Sequence, residues 1–297
     1  MDLLVVGDLN ADLVLRGGEI EPTFDQREQF VDHAELVLGG SGGIMAAGAA
    51  KLGLDVAMVG CVGDDPLGTV MIDALAQAGV DTSAVLRTAA AATGISVALA
   101  RPGDRAILTA AGALAHLQAE DVSRELLARA RHVHVASPFL QDGLRPGLQA
   151  LAGAARSTSL DPGWDPREEW SLPIEAFDVL LPNAEEARRL AGRADGDVEA
   201  AARELAARGP TVVVKLGADG AVAVDGGETI RVPAHPVEPV DSTGAGDSFD
   251  AGFLAARLSG AGLADAVALG CACGALSTRR SGGTAGQPTL EEARALT

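Results

Sequence analysis

Short strand-like runs alternate with longer segments of helical spacing along nearly the whole chain, and this rhythm limits the fold more than any other feature. LLVVG at 3–7, VAMVGCVG at 56–63, HVHVAS at 132–137, TSLD at 158–161, DVLLPN at 178–183 and TVVVKLG at 211–217 are each too short for a helix. Several are apolar at consecutive positions, which marks strands buried on both faces, as in a parallel sheet covered by helices. The segments between them supply the helices: PLGTVMIDALAQAG at 66–79 with its Gly stop, LRPGLQALAGAAR at 144–156, NAEEARRLAG at 183–192 and DVEAAARELAARG at 197–209. Alternation of this kind predicts a three-layer α/β/α domain with a mostly parallel sheet and right-handed crossovers.

Two stretches break the rhythm. Residues 10–38 contain LVLRGGEIEP and EQFVDHAELVL with no helical pattern between them, and TGISVALARPGDRAILTAA at 93–111 is a hairpin around Pro102-Gly103-Asp104. Both are predicted to be strands of a small separate sheet, a lid inserted into one domain spanning 1–297. With 297 residues and 47% apolar content, the chain can bury a core of that size.

The formal net charge of −18 argues against nucleic acid and anionic membranes as partners. Basic residues comprise 21 Arg and two Lys, Lys51 and Lys215. Cys61, Cys271 and Cys273 form neither a pairable framework nor a zinc spacing, as in a reducing compartment. MDLLVVGDLNADL has early acids and no basic leader, and no apolar run approaches the ~18 residues of a membrane helix. A cytoplasmic protein is the expectation.

The chemistry is concentrated in DSTGAGD, Asp241 to Asp247, which runs directly into SFDAGFLAARLSG. Gly244 and Gly246 permit close backbone approach and strained angles. The free N–H groups of the helix start, with the positive end of its dipole, form an anion site. Asp247 would repel a phosphate bound there. The pairing makes chemical sense if its carboxylate takes a proton from a hydroxyl while the amides hold the charge on a transferred phosphoryl group. A Gly-rich turn capped by Asp is the plain structural alternative.

Four further segments carry candidate groups. Asn10 and Asp12 in GDLNADL follow the first strand, where open parallel sheets bind ligands. Asp12 can accept two hydroxyl hydrogen bonds, which suits a polyol, or sit as a solvated turn acid. GGSGGIMAAGAAKLG at 39–53 is a Gly-rich turn opening a small-residue helix, fit for close backbone approach or for tight helix packing. LPNAEEA sets Asn183 and Glu186 at i and i+3, either a water-mediated Mg²⁺ site or a reciprocal helix cap. Lys215 ends a strand just before Gly217 and Gly220, where a phosphate or ribose could be held.

With these segments in this order, the chain resembles the ribokinase-like carbohydrate kinases, the PfkB family, over essentially its whole length. The resemblance implies an α/β body with a β-sheet lid, and ATP- and Mg²⁺-dependent phosphorylation of a hydroxyl on a sugar, polyol or nucleoside. It implies Asp247 as base, with the amides of Gly244, Ala245 and Gly246 as the anion hole. Asp12 and Asn10 would grip substrate hydroxyls, with Gly40, Ser41 and Ile44 beside them. Asn183 and Glu186 would organise metal, water and phosphate, while Lys215, Gly217, Gly220, Thr243 and Gly246 would line the nucleotide. Asp241 and the Thr243 carbonyl match positions that bind a monovalent cation, K⁺ for instance, in some members. Pairing through the lid implies a homodimer.

The chain also departs from the family pattern. Ile44 stands where many members carry Asn, and Ala136 or Ser137 where ribokinases carry a substrate-binding Glu. A site built for hydroxyls loses discrimination when such partners vanish, so a sugar other than ribose is expected. Trp164, Asp165 and Arg167 in DPGWDPREEW are candidate replacement contacts. A non-catalytic sugar sensor on the same fold is one rival reading. Another is a Ser41 hydrolase, since GGSGG satisfies G-x-S-x-G and His235 could complete a triad; that reading leaves DSTGAGD without a role. A dinucleotide site lacks its G-x-G-x-x-G, and neither Lys follows a Gly as a Walker motif requires.

Overall fold

The computed structural model of the chain describes residues 1–18, 20–101, 104–193 and 196–297. Its strands are β1 (Leu3–Gly7), β2 (Asn10–Arg16), β3 (His33–Gly39), β4 (Val56–Val59), β5 (Cys61–Gly63), β6 (Leu86–Thr88), β7 (Ile95–Arg101), β8 (Asp104–Ala110), β9 (His132–Ala136), β10 (Thr158–Asp161), β11 (Val179–Leu180), β12 (Thr211–Lys215), β13 (Ala221–Asp225) and β14 (Glu228–Val232). The helices are α1 (Ser41–Lys51), α2 (Pro66–Gln77), α3 (Arg124–Arg129), α4 (Leu148–Ala154), α5 (Ala184–Leu190), α6 (Val198–Ala206), α7 (Ala245–Leu258), α8 (Leu263–Ser277) and α9 (Leu290–Arg294).

The apolar strands do what burial on two faces requires. An eight-stranded sheet runs β14-β13-β12-β11-β10-β9-β1-β4, and every pair from β12 to β4 is parallel. Alternate side chains of β1 enter opposite cores. Leu3 and Val5 pack with α1, α7 and α8, while Leu4 and Val6 pack with α4, α5 and α6. This is the three-layer α/β/α architecture with a mostly parallel sheet that the sequence rhythm predicts.

Two details differ from the sequence reading. VAMVGCVG is not one strand: β4 stays in the main sheet, and β5 leaves it after Gly60 to pair with β6. AVAVDGGETIRV, unassigned from sequence, adds β13 and β14 as an antiparallel edge, with Asp225 opposite Glu228 across a Gly226-Gly227 turn. Both turn glycines have positive φ, 53° and 91°. A Gly-Gly pair between two alternating runs is itself a hairpin signal.

A four-stranded second sheet has the order β3-β2-β7-β8 and is drawn from the stretches that broke the rhythm. Its β7–β8 pairing extends to Arg101 opposite Asp104. Pro102 and Gly103, the centre of the expected hairpin, lie outside the described residues. On one face Val14 and Ala98 are buried; on the other Leu36 and Leu108 are exposed.

α7 is the central helix of one layer. Gly244, with φ 71°, turns the chain into it, and Phe249 and Phe253 stack along its buried side with ring centroids 6.5 Å apart. It packs tightly on α8: a Cβ on Gly252 would come within 2.7 Å of Cys273 Sγ. The cysteines are free and buried, consistent with their use as small apolar groups. Replacing fully buried Phe253 by Ala should cost about 3–5 kcal/mol of stability, the usual price of an aromatic-sized core cavity. Guanidinium unfolding checks this, and a loss below about 1 kcal/mol would mean the α7 layer is not a packed core.

Candidate active site

Parallel strands end at a common edge. Gly7 pairs with Ala136, and Ala136 with Asp161, so the carboxyl ends of β1, β9 and β10 lie side by side. Into that edge point the N-termini of α1 and α7. Sequence-distant acids and amides therefore meet there.

At α1, Gly40 has φ 83°, and a Cβ on it would lie 2.5 Å from the Asp8 carbonyl oxygen. Only glycine fits that turn. Asp8 then sits at the helix start and accepts hydrogen bonds from the N–H groups of Ser41 (3.0 Å) and Gly42 (2.9 Å). Burial pushes its carboxyl up to about 6 against those bonds. The sequence reading singled out Asn10 and Asp12 but passed over Asp8, two positions earlier in the same motif.

At α7, Asp247 stands in the first turn, partly exposed. Burial, then the charge of Asp161, push its carboxyl up to about 8, while Lys215 and the Ser41 hydroxyl favour the charged form. A carboxyl titrating near neutrality can both take and hold a proton. Ser41 thus faces Asp247. Among the described residues no hydrogen bond joins Ser41 to His235, which lines a different cavity, so no nucleophilic pair forms.

Lys215 reaches the site but not as a free cation. Its Nζ lies 2.8 Å from Asp161 Oδ2 and 3.1 and 3.0 Å from the Asp250 oxygens, and both acids are buried. Asp161 and Asp250 pair with this ammonium, and Lys215 also borders the cavity lined by Gly217 and Gly220, beside which the sequence places it. Burial acts to raise Asp161, but the Lys215 charge and hydrogen bond hold it below the usual carboxylate range. Burial drives Asp250 well above that range. Neither acid was legible as a site residue, because each lies inside an ordinary strand end or helix pattern.

The opposite side of the cleft is built on the second sheet. Asn10 Nδ2 donates to Asp12 Oδ1 (3.0 Å) and Ser96 Oγ (3.1 Å), which fixes both residues at the foot of β2. Burial pushes Asp12 up to about 6, opposed by the Asn10 bond and the charge of Arg105. Arg105, on β8, donates to Thr243 Oγ1 at 3.0 Å and so ties the second sheet to the turn before α7. Nothing in the sequence marks Arg105 out from the chain's other arginines.

Asp241 organises that turn. It accepts from Thr243 N (2.8 Å) and Oγ1 (2.7 Å) through one oxygen and from Gly282 N (2.9 Å) through the other. Burial works to raise it, yet these bonds hold it below its usual range. With both oxygens engaged, Asp241 builds the loop that leads into α7. Ile44, in the first turns of α1, lies under the same turn. It is buried, and a Cβ on Gly283 or Gly244 would come within 2.4 or 2.9 Å of its side chain. It packs beneath the α7 entrance.

On the far side of the α7 mouth lies a cavity of about 490 Å³, lined by Gly217, Gly220, His235, Val237, Gly246 and Phe249 among others. Gly220 is required there: φ is 90°, and a Cβ would fall 2.0 Å from the Val232 carbonyl oxygen. Nε2 of His235 is buried with no partner among the described residues. A mostly apolar slot with an unanswered polar atom, opening at a helix start, suits a nucleotide. Asn183 and Glu186 form the reciprocal cap: Asn183 Oδ1 accepts from Glu186 N (3.0 Å), and Glu186 Oε2 accepts from Asn183 N (2.8 Å). Burial, then Asp161, push Glu186 up to about 7. Trp164, Asp165 and Arg167 organise their own loop. Asp165 accepts from the N–H groups of Arg167, Glu169 and Trp170, Arg167 pairs with Asp142, and Trp164 stands edge-on to Trp170.

Comparison with known proteins agrees with this geometry. A sequence profile of the pfkB family carbohydrate kinases matches residues 1–290. The ribokinase of Haemophilus influenzae is 29% identical, covering 98% of this chain and 96% of its own. The fructokinase of Klebsiella pneumoniae is 33% identical, covering 86% and 90%. An Escherichia coli protein solved as ribokinase II with ATP and Mg²⁺ superposes with a TM-score of 0.85 at 26% identity, covering 99% and 98%.

The raised Asp247 carries a stability prediction. Its folded pKa of about 8 exceeds the ordinary 3.8, so the folded state favours the protonated form. The associated stability is complete below pH ~4, and rising pH removes it progressively until about pH 8. Asp247→Asn abolishes the charged form, so the variant should melt above wild type by at least about 2 °C at pH 8 and show no gain at pH 4. Thermal melts across that range decide it; a gain independent of pH would contradict the buried-charge account.

Proposed function

This chain belongs to the pfkB family of carbohydrate kinases and is a sugar kinase; from that premise we propose that it transfers the γ-phosphoryl group of ATP to a hydroxyl of a sugar other than ribose, with Asp247 as general base. The observation that carries this reading is the placement of Asp247: partly exposed at the positive end of α7, with a nucleotide-sized cavity on one side and the Asn10–Asp12 pair across the site.

The acceptor enters between the two sheets, and Asp12 and Asn10 hold its hydroxyls. Asp247 removes the proton of the attacking hydroxyl. Its oxygen then bonds to the γ-phosphorus as the bond from that phosphorus to the β–γ bridging oxygen breaks, and ADP leaves. The N–H groups of Gly244, Ala245 and Gly246 face the charge on the transferred group and need no reorganisation to do so. Gly40 brings backbone close to the acceptor, and Gly217 and Gly220 do the same for the nucleotide. Ala136 and Ser137 supply no carboxylate at the carboxyl end of β9, which supports an acceptor other than ribose.

Mg²⁺ would neutralise phosphate charge in such a transfer. Among the described residues no cluster of three His, Cys, Asp or Glu side chains forms a metal site. That fits an ion held by phosphates and water, with Glu186 and Asn183 as its protein partners.

A homodimer through the lid is part of this proposal. Leu36, Leu13, Val97 and Leu108 lie in register across the four strands, and Leu36 and Leu108 are 47% and 65% exposed. A second copy would cover this apolar row. We place the protein in the cytoplasm, where free buried thiols persist; among the described residues no helix is long and apolar enough to cross a membrane.

Coupled ADP release over a panel of sugars and polyols with ATP and Mg²⁺ tests the reaction. Sugar binding without ADP would mark a sensor. Asp247→Asn should lower kcat by ~10²–10⁴ while both substrates still bind. Asp12→Ala should raise KM for the sugar at least about tenfold and leave KM for ATP in place; equal loss of both would remove Asp12 from the acceptor site. In sedimentation, Leu36→Glu/Leu108→Glu should turn a dimer into a monomer, and a monomeric wild type would end the dimer proposal.

A further inference from the structure

Of the chain's two lysines, Lys215 is enclosed among acids where the sheet meets α7. Its side chain is 11% exposed, and those of Asp161 and Asp250 are 9% and 1%. An ion group this dry is not a stability device by default, since desolvation offsets most of the attraction and apolar replacements often do as well. Its location supplies another reason. A Cβ on Gly246 would stand 3.5 Å from Lys215 Nζ, so the ammonium lies against the first turn of α7, beside the residue that precedes Asp247.

The surroundings of Asp247 are unusually acidic. Facing it are Asp8 after β1, Asp161 at the end of β10, the Ser41 hydroxyl of α1 and Lys215 of β12, with Asp250 one turn further along α7. Lys215 is also faced by Glu186 of α5 and by His134 of β9, whose imidazole burial keeps neutral. Of these groups Lys215 is the one cation.

We propose that Lys215 is a positioning residue for phosphoryl transfer: clamped by Asp161 and Asp250 against the first turn of α7, its fixed positive charge lets Asp247 ionise among neighbouring carboxylates. The inference rests on Asp247 acting as the base. It assigns Lys215 no contact with either substrate. Its ammonium acts through space on the residue after Gly246, and Asp161 and Asp250 hold it in place at the border of the nucleotide cavity.

The test is kcat against pH at saturating ATP and sugar, for wild type, Lys215→Met and Asp161→Asn, with thermal melts as a check on folding. Lys215→Met keeps the stem and removes the charge. Its acid limb should move up by about one pH unit or more, lowering turnover on that limb about tenfold. Asp161→Asn removes the carboxylate that opposes ionisation and should move the limb down. KM for ATP should stay within about twofold of wild type in both. Unmoved limbs would overturn the proposal, as would a rise in KM for ATP with the limb fixed, which would make Lys215 a nucleotide contact instead. If Lys215→Met does not fold, Lys215→Gln is read in the same way, and an unmoved limb there overturns the proposal. A wild-type chain that turns over no sugar defeats the kinase mechanism itself, whereas an active wild type with unmoved limbs in the variants defeats only the role of Lys215.

Discussion

Charge repulsion among carboxylates at one edge of the parallel sheet is the constraint around which the site is arranged. Asp8, Asp161, Asp247, Asp250 and Glu186 converge there because β1, β10, α5 and α7 all begin or end at that edge. Each acid is held in a different way. Asp8 takes two amides of α1, Glu186 closes the cap of α5, and Asp161 and Asp250 share Lys215. Asp247 alone keeps a face toward the cleft without such a set of donors. That asymmetry sets Asp247 apart from the other four acids, and it is the ground on which we propose it as the base.

The glycines serve the same end. Gly40 and Gly244 bend the chain into α1 and α7 with positive φ, so two helix starts open at the same edge as the acids. Those starts bring positive potential to a place crowded with negative side chains, and in a chain of net charge −18 this local field is what can admit a nucleotide. The second sheet completes the arrangement. It carries Asn10, Asp12 and Ser96 on one side of the cleft and links back to the α7 turn through Arg105 and Thr243.

The fold was largely legible because periodicity survives any tertiary detail. Apolar strands with helical segments between them have one common solution, and the two stretches outside that rhythm supplied the second sheet. The Gly226-Gly227 hairpin carried a local signal of its own, whereas the break at Gly60 followed from which neighbour each half of VAMVGCVG pairs with. Within the site, residues in Gly-rich or capping motifs could be named in advance, because such motifs bend or terminate the backbone in a fixed way. Asp161, Asp250, Asp8 and Arg105 could not. Each is an ordinary residue of a strand, a helix or a turn until another element is placed against it.

By itself, the amino-acid sequence determined the layer architecture, the position of Asp247 in the first turn of a helix and the placing of Asn183 and Glu186 at i and i+3 of a helix start, since these depend on spacing along one segment. Only the tertiary structure decided what Lys215 and Ile44 pack against. Spacing gave Lys215 a strand end and Ile44 a helix start, but a long cation takes the nearest buried acids, and an apolar side chain takes whatever backbone closes over it. Those partners come from α7, β10 and the turn at Gly283, dozens of residues away in the chain, and no local pattern encodes such distances.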